Sequence, residues 1–577
     1  MNDQQNSNKR WPGSLVLDVA SVVTAAAAMI YCNGGIGVGA SNHVGLLPVV
    51  RRMLDPNYLP GDFNIALRFY HHRAFAYLVA GGSALLGEDR ALILLAVLAM
   101  VAVSAALFGL CRALGLSRGG FLAVGAFVAT RFVWAGRGLE LNEFLGDPEV
   151  MPPLLAHALA LFVLTALLRE RYRLAAFLTG LAILLHLQIG LTLALMTSPL
   201  YFIKLRGPGS VRGAVATWLP GEKNDSKEPG RYRSLYRTAA SPRRNLARIK
   251  EGFMLAALLI LPASPTLWHV GRMLERGLAK SSVSPAFYID FRHPHHFELL
   301  SLTAALWVAA HLAMIILAYW FFRRRDASVS RAIGKLLVCC GALVVLCLIH
   351  FADYYLINND KLAQVQFLRV SPLITILGAI CFVLMANLWL TRRTDFSLSQ
   401  PQGQTKVRPT LVVALANVAL IVAAAGWGWY SPRRLETPYY FGVRRNAEEK
   451  SSWADVARWV RVNGPRDAVY LAPPGNNGFS VLSERSIVAE FKLNPDGAMY
   501  LAEWFERLRD LAGGELPAGR GFENRKLLNK AFAKLNNEQL LALSGKYNAA
   551  YAVLPKDSKS AFDVLYQNKD YRVVRLH

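Results

Sequence analysis

Carboxylate, guanidinium and imidazole side chains crowd into one polar stretch near the start of the chain. Residues 41 to 73, SNHVGLLPVVRRMLDPNYLPGDFNIALRFYHHR, carry Asp55, Asp62, Arg68, His71 and His72. A carboxylate of this kind can take a proton from a hydroxyl, and nearby cations can hold the negative charge that grows on a leaving group. Proline and glycine make the stretch too irregular to cross a bilayer. It reads as a functional loop at a membrane face, with an ordinary interfacial connector as the plainer alternative.

Two further stretches offer similar chemistry. The first is YIDFRHPHHFE, Tyr288 to Glu298, with Asp290, Arg292, His293, His295, His296 and Glu298 just before an apolar run. Histidines beside carboxylates can bind a divalent metal. The HxHH spacing matches no standard ligand set, so no metal ligand and no cofactor is assigned. An anionic group suits the stretch better, because Arg292 offers a two-pronged donor to phosphate and a neighbouring histidine can donate beside it. The second stretch runs from Phe351 to Pro372, where Gln364, Gln366 and Arg369 stand at the start of another apolar run. Arg369 there is placed to hold the phosphate of a lipid whose tail lies in the bilayer.

The elements that must position these residues are membrane helices. The chain has 577 residues, 54% of them hydrophobic and 18% charged, with repeated apolar runs of spanning length, so it is polytopic. Its formal net charge of +25 sits largely in alternate loops, the distribution of cytoplasmic loops rather than of a nucleic-acid-binding surface. The six cysteines lie in or beside apolar segments and form no CxxC pair, which leaves no disulfide framework.

Spans are expected at about 14 to 31, 90 to 111, 119 to 135, 150 to 168, 252 to 270, 299 to 322, 333 to 352, 367 to 391 and 409 to 430. Residues 74 to 87 are apolar but short, and read as an interfacial or re-entrant helix. Residues 174 to 203 hold His186 and Gln188 in the middle of thirty apolar positions. Basic residues flank them on both sides: Arg169 to Arg173 before, and after them a loop from Lys204 to Glu251 with twelve Lys or Arg against four acids. Both flanks then face the cytoplasm, so the segment goes out and returns as two short helices turning near His186 and Gln188. That makes eleven spans. An N-terminus in the cytoplasm places the first loop (32–89), the acidic loop with Glu140, Glu143, Asp147 and Glu149, the loop 271–298 and the loop 353–366 on one external face.

Residues 1–430 thus read as a transmembrane domain and residues 431–577 as a soluble extracytoplasmic α/β domain. In the latter, SSWADVARWVRVN is an amphipathic helix behind a Ser cap, DAVYLAPP a strand, and FSVLSERSIVAEFK two strands about a turn. MYLAEWFERLRDLA returns to helical spacing. NNEQLLALSGKY opens with the capping pattern of Asn536 and Gln539, and AAYAVLP and YRVVRLH supply the last strands.

A long first external loop with acidic residues in LDPNYLPGDF, about eleven spans and an external C-terminal domain together resemble the GT-C class of membrane glycosyltransferases. LLPVVRRMLDPNYLPGDF, FRHPHHF and WVRVNGPRDAVYLAPP look like a group of bacterial GT-C-like membrane proteins of unassigned function. The adjacent acidic pair of O-mannosyltransferases and the WWD motif of oligosaccharyltransferases are missing. The resemblance implies transfer of a sugar from a polyprenyl-phosphate carrier to an acceptor glycan, lipid or protein, at the outer face of a bacterial inner membrane. It implies a general base in the first loop, Asp62 or alternatively Asp55. It also implies a binding set drawn from Arg292, His293, His295, His296, Arg369, Gln366, His186, Gln188, Arg68, His71 and His72. A transporter or flippase of a lipid-linked or polysaccharide intermediate and a non-catalytic scaffold are the competing classes; the gathering of polar residues on one face disfavours a transporter.

Overall fold

The computed structural model describes residues 12–39, 42–67, 72–140, 144–206, 242–277, 284–357, 363–396, 408–431, 438–446, 450–495 and 498–577. Arg68 and His71, both assigned to binding from the sequence, lie outside the described residues, as does Glu143. The chain opens with α1 (Pro12–Cys32) and β1 (Ile36–Val38), then α2 (His43–Leu54), α3 (Phe63–Leu67), α4 (Arg73–Leu86), α5 (Glu88–Ala113) and α6 (Arg118–Thr130). Next come α7 (Pro152–Leu168), α8 (Tyr172–Leu185), α9 (Leu187–Arg206), α10 (Pro242–Gly277), α11 (Pro285–Arg292), α12 (Leu302–Arg323), α13 (Ala327–Phe351), α14 (Pro372–Phe396) and α15 (Arg408–Tyr430).

Each of the eleven apolar segments contains a helix, and among the described residues eight helices are long and apolar enough to cross a membrane. α4, α6, α7 and α8 are apolar but shorter, so length alone supports eight crossings rather than eleven. Their ends carry the expected stops. Ser117 and Ser301 accept the backbone N–H of Gly120 and Ala304 at 3.2 and 3.1 Å, and Asp326 caps α13 through Ser328 and Val329. Asp18 of α1 meets Arg118 at the start of α6, 2.6 Å away.

The long apolar segment does divide at His186, whose backbone is extended between α8 and α9. Gly190 makes the tight hairpin feasible, because a Cβ there would collide with the backbone of Ile183. α8 also packs on α7 and α10, with Thr266 of α10 donating to Leu184 O at 2.9 Å.

The C-terminal region contributes β2 (Val443–Arg445), α16 (Ser452–Asn463), β3 (Val469–Leu471), α17 (Phe479–Ser483), β4 (Ser486–Ile487), α18 (Ala498–Leu511), α19 (Glu523–Phe532) and α20 (Asn537–Tyr547). It closes with β5 (Tyr551–Pro555), β6 (Val564–Gln567) and β7 (Tyr571–Arg575). Five strands form one mixed sheet in the order β4-β3-β5-β7-β6, with β4, β3 and β5 parallel and β7 antiparallel to both its neighbours. Alternate side chains feed two separate cores. Val553 and Val573 pack with α16 and α17, whereas Ala552, Leu554 and Val574 pack with Trp504, Leu508, Leu528 and Phe532 of α18 and α19.

Two expectations change here. FSVLSERSIVAEFK is not a pair of strands: Gly478, at φ +81°, starts the short helix α17, and only Ser486–Ile487 is a strand. Tertiary contacts decide this, since Arg51 Nη1 and the Tyr58 hydroxyl donate to the carbonyls of Val481 and Ser480 at 2.9 and 3.2 Å. The sequence reading also passed over α19 and β6. The capping box of Asn536 and Gln539 on α20 is present as expected.

The first loop is the seat of the C-terminal sheet. β1 pairs in parallel with β2, the Arg51 guanidinium forms a two-pronged pair with Glu88, and Phe63 enters the same core as Trp504. Phe291 of α11 enters that core too. Trp504 is fully buried and donates from Nε1 to Glu490 O at 3.1 Å. Trp504→Ala should cost about 3–5 kcal/mol of C-terminal stability. Faster cleavage of this region in limited proteolysis of the intact chain would show it.

Candidate functional site

The acidic loop after α6 is held between two helix starts. Leu139 N donates to Ser371 Oγ at 2.8 Å, just before α14, and Leu139 O accepts from Leu300 N at 2.8 Å, just before α12. Gly138 is needed for this approach: a Cβ there would sit 2.7 Å from Pro372 Cδ. Glu140 follows at once and is fully buried. Its Oε1 lies 3.8 Å from Arg369 Nε and its Oε2 3.9 Å from His296 Nδ1.

Arg369 occupies a tight turn, Phe367–Val370, entered through Gln366 at φ +56°. His157 of α7 reaches its carbonyl at 3.1 Å, and its Nη1 lies 3.2 Å from His186 Nε2 at the α8/α9 break. The His72 ring lies tilted against that of His186, 4.5 Å between centroids. Gln188 donates to Gln364 O at 3.3 Å, and Gln366 is buried, with an Oε1 that accepts no hydrogen bond among the described residues.

The three histidines of FRHPHHF close the cluster from above. His295 and His296 have ring centroids 4.2 Å apart, His293 and His296 5.4 Å, and one nitrogen from each of the three lies within 4.8 Å of the others. That grouping has the dimensions to hold a metal ion, which their spacing in the sequence did not suggest. Arg292 and Arg369 stand beside them, however. Burial and these two guanidiniums hold His293 and His296 well below the usual imidazole range and His295 at about 4. Neutral imidazoles beside fixed cations favour an anion over a second cation.

A second tier of charge adjoins this one. Arg292 lies over the Phe491 ring at 4.8 Å and donates to Lys492 O at 3.4 Å. Burial brings the Lys492 ammonium down to about 8, with Arg292 adding to the fall and Asp147, Glu490 and Glu149 opposing it. Asp147 accepts from Asn42 Nδ2 at 2.7 Å, and Asn33 Nδ2 donates to its carbonyl at 2.7 Å. Burial and the neighbouring Asp147 push Glu149 up to about 7. Gly37 of β1 packs on it so tightly that a Cβ would lie 2.9 Å from Glu149 Oε1.

The first-loop aspartates stand apart from this assembly. Asp55 is exposed and accepts from Asn57 N at 2.9 Å in its own turn. Asp62 is buried beneath the C-terminal sheet, where it accepts from Ile65 N at 3.1 Å and Ile487 N at 3.5 Å, and burial pushes it up to about 6. The structure therefore brings together His72, His186, Arg292, His293, His295, His296 and Arg369, with Gln188 and Gln366 at the edge, but not Asp55 or Asp62. Glu140, Glu149, His157 and Lys492 join the assembly although the sequence reading gave them no role. The run Glu140, Glu143, Asp147, Glu149 was the available signal.

A family model for a domain of unknown function, DUF6798, matches residues 451–511, from the cap of α16 to the end of α18. Two solved structures are similar to the chain over nearly its whole length. One is ArnT from Cupriavidus metallidurans in the apo state, at 13% identity and a TM-score of 0.47, covering 98% of each chain. The other is ArnT from the same organism bound to undecaprenyl phosphate, at 12% identity, a TM-score of 0.46 and the same coverage. No curated protein matches.

Chemically, the assembly offers the buried carboxyl groups of Glu140 and Glu149 as proton acceptors, two guanidiniums and an ammonium for an anion, and neutral imidazoles as donors. Burial also sets a pH dependence nearby. Glu490 accepts from Gly478 N through both oxygens, at 3.1 and 3.2 Å, and its carboxyl is pushed up to about 8. The folded state then keeps a proton that the unfolded chain loses near its ordinary value of 4.5. Stability falls as pH rises between those two values. Glu490→Gln keeps an acceptor and cannot ionise. The variant should lose this slope, unfolding at higher temperature than the native chain at about pH 9 and at a similar temperature at about pH 5, read from thermal melts in detergent.

Proposed function

We propose that the protein is a membrane glycosyltransferase that moves a sugar from a polyprenyl-phosphate carrier to an acceptor hydroxyl or amide. The observation that carries this reading is the buried carboxylate of Glu140 between Arg369 and His296, at 3.8 and 3.9 Å. The GT-C resemblance of the sequence supplies the donor class.

In this mechanism Glu140 takes the proton of the attacking acceptor group. The acceptor's oxygen or nitrogen forms a bond to the sugar's anomeric carbon as the bond from that carbon to the carrier phosphate breaks, and the phosphate leaves with the electron pair. Arg369 and Arg292 hold the charge that develops on it, and a neutral imidazole of the His293, His295 and His296 group donates a hydrogen bond beside them. His157 fixes the Arg369 backbone and His186 flanks its guanidinium, so the cation meets the phosphate with little rearrangement. The proposal keeps Asp62 for holding the first loop to the C-terminal sheet, through the Ile487 N–H, and gives Asp55 a local turn. It places the site at the outer face of a bacterial inner membrane, with the C-terminal region as its cover.

Glu140→Gln should lower turnover about 10² to 10⁴-fold while the protein still inserts and purifies as a single species. The assay is radiolabelled sugar transfer from polyprenyl-phosphate donors in reconstituted vesicles. Asp62→Asn should leave turnover far less changed. Full activity of Glu140→Gln alongside an inactive, well-folded Asp62→Asn would return the base to the first loop and defeat the proposal.

A further inference from the structure

A second charged site lies at the far end of the helical bundle from Glu140. The turn between α7 and α8, the last turn of α9 and α10 near Glu251 border an open cavity of about 490 Å³, within the size range of ligand pockets. Glu170, Arg171, Tyr172, Arg173, Lys204 and Glu251 line it. α8 has 14 residues and runs from this cavity to the break at His186, so about 20 Å of helix separates it from the cations around Glu140.

The charges in this space do not cancel. Glu251 is taken by Arg173 at 2.8 Å, and Glu170 by Lys335 of α13 at 3.1 Å, with Arg331 also acting on it. Arg171 and Lys204 remain, both exposed, and among the described residues neither is within ion-pair distance of a carboxylate. Lys204 feels both acids from further off, and its ammonium sits over the Tyr172 ring, 5.4 Å from the centre. Counting Arg331 and Lys335, five cations meet two acids here. The backbone beneath them is fixed. Glu170, at φ +58°, ends α7 in a tight turn in which Arg171 N donates to Ala166 O at 2.8 Å, and the buried Tyr172 ring packs edge-on against Tyr201. A held surplus of guanidinium and ammonium groups calls for an anion with acceptor oxygens.

The helices around the cavity say what carries that anion. α8 and α10 run the same way, Arg173 meeting Glu251 at one end and Leu184 O meeting Thr266 at the other, while α9 returns after the break at His186. On all three, exposed apolar side chains begin directly beyond the charged residues, towards the middle of the bundle. Leu174 and Phe177 follow Arg173 on α8, Phe253 follows Glu251 on α10, and Phe202 precedes Lys204 on the returning α9. α9 and α10 are among the helices long and apolar enough to cross a membrane. Cations level with a headgroup and apolar rings level with its tails are the layout that an anionic lipid fits. We propose that this cavity binds the phosphate headgroup of an anionic phospholipid whose tails lie along α8, α9 and α10. Inorganic phosphate shares the headgroup chemistry but gains nothing from Phe177, Phe202 and Phe253.

The test uses the full chain in phosphatidylcholine nanodiscs doped with phosphatidylglycerol, with lipids retained on the protein counted by native mass spectrometry. The native chain should keep one phosphatidylglycerol. Arg171→Gln and Lys204→Gln, both at exposed positions, should each weaken its binding about fivefold, the effect of one basic residue at a lipid surface, and the double variant about 25-fold. Lys204→Arg, which keeps the charge, should retain the lipid. Arg324→Gln, at an exposed cation outside the cavity wall, should leave it in place. Unchanged retention in the double variant would overturn the assignment. An equal loss in Arg324→Gln would overturn it too, in favour of general attraction between basic loops and negative lipid. Displacement of the lipid by millimolar inorganic phosphate would replace it with a plain phosphate-ion site.

Discussion

Burying charge is the constraint on which the rest of this structure depends. Glu140, Arg292 and Glu149 are buried and Arg369 and Lys492 are partly so, and isolated charges cannot stay out of water without partners or a cover. The C-terminal segment after β4 supplies part of that cover through Phe491 and Lys492. It is fastened by an aromatic cluster in which Phe63 from the first loop and Phe291 from the FRHPHHF stretch meet Phe491, Trp504 and Phe505. Apolar burial on one side of Phe491 thus secures the cation on the other, because the Arg292 guanidinium lies over that same ring.

The polar loops divide the work. The first loop is mainly a seat: β1 pairs with β2, Arg51 and Tyr58 cap the carbonyls of α17, and Asp62 reaches the Ile487 N–H. Through the Gly37 contact with Glu149 and the Asn42 bond to Asp147 it also fixes the acidic loop. The acidic loop, pinned by Leu139 between Ser371 and Leu300, brings its carboxylate to the cations. Movement in any of the three loops would be felt in the other two, since each supplies hydrogen bonds or core residues to its neighbours.

Much of the architecture was legible in the sequence because hydropathy and charge act locally. The helices, the break at His186 and the capping box at Asn536 follow from patterns within a few residues of each other. The grouping of Arg292, Arg369 and His186 was legible too, since each is a polar residue at the end of an apolar run. That Glu140 lies beside these cations was not. Asp55 and Asp62 have the better local sequence setting, whereas Glu140 reaches the cations only through Gly138 and Leu139 packing on Ser371, more than two hundred residues away. The same limit explains α17, whose carbonyls are satisfied by Arg51 and Tyr58 from the far end of the chain.

The segment from Arg131 to Glu140 joins two charged regions and gives them opposite character. At its start, strained backbone holds arginines and tryptophans at the edge of the helical bundle, where exposed apolar flanks lie on either side. At its end, regular hydrogen bonds hold one carboxylate in a fully enclosed space. There Arg369 and His296, a histidine held neutral by burial, stand beside the Glu140 carboxylate, a combination suited to proton transfer.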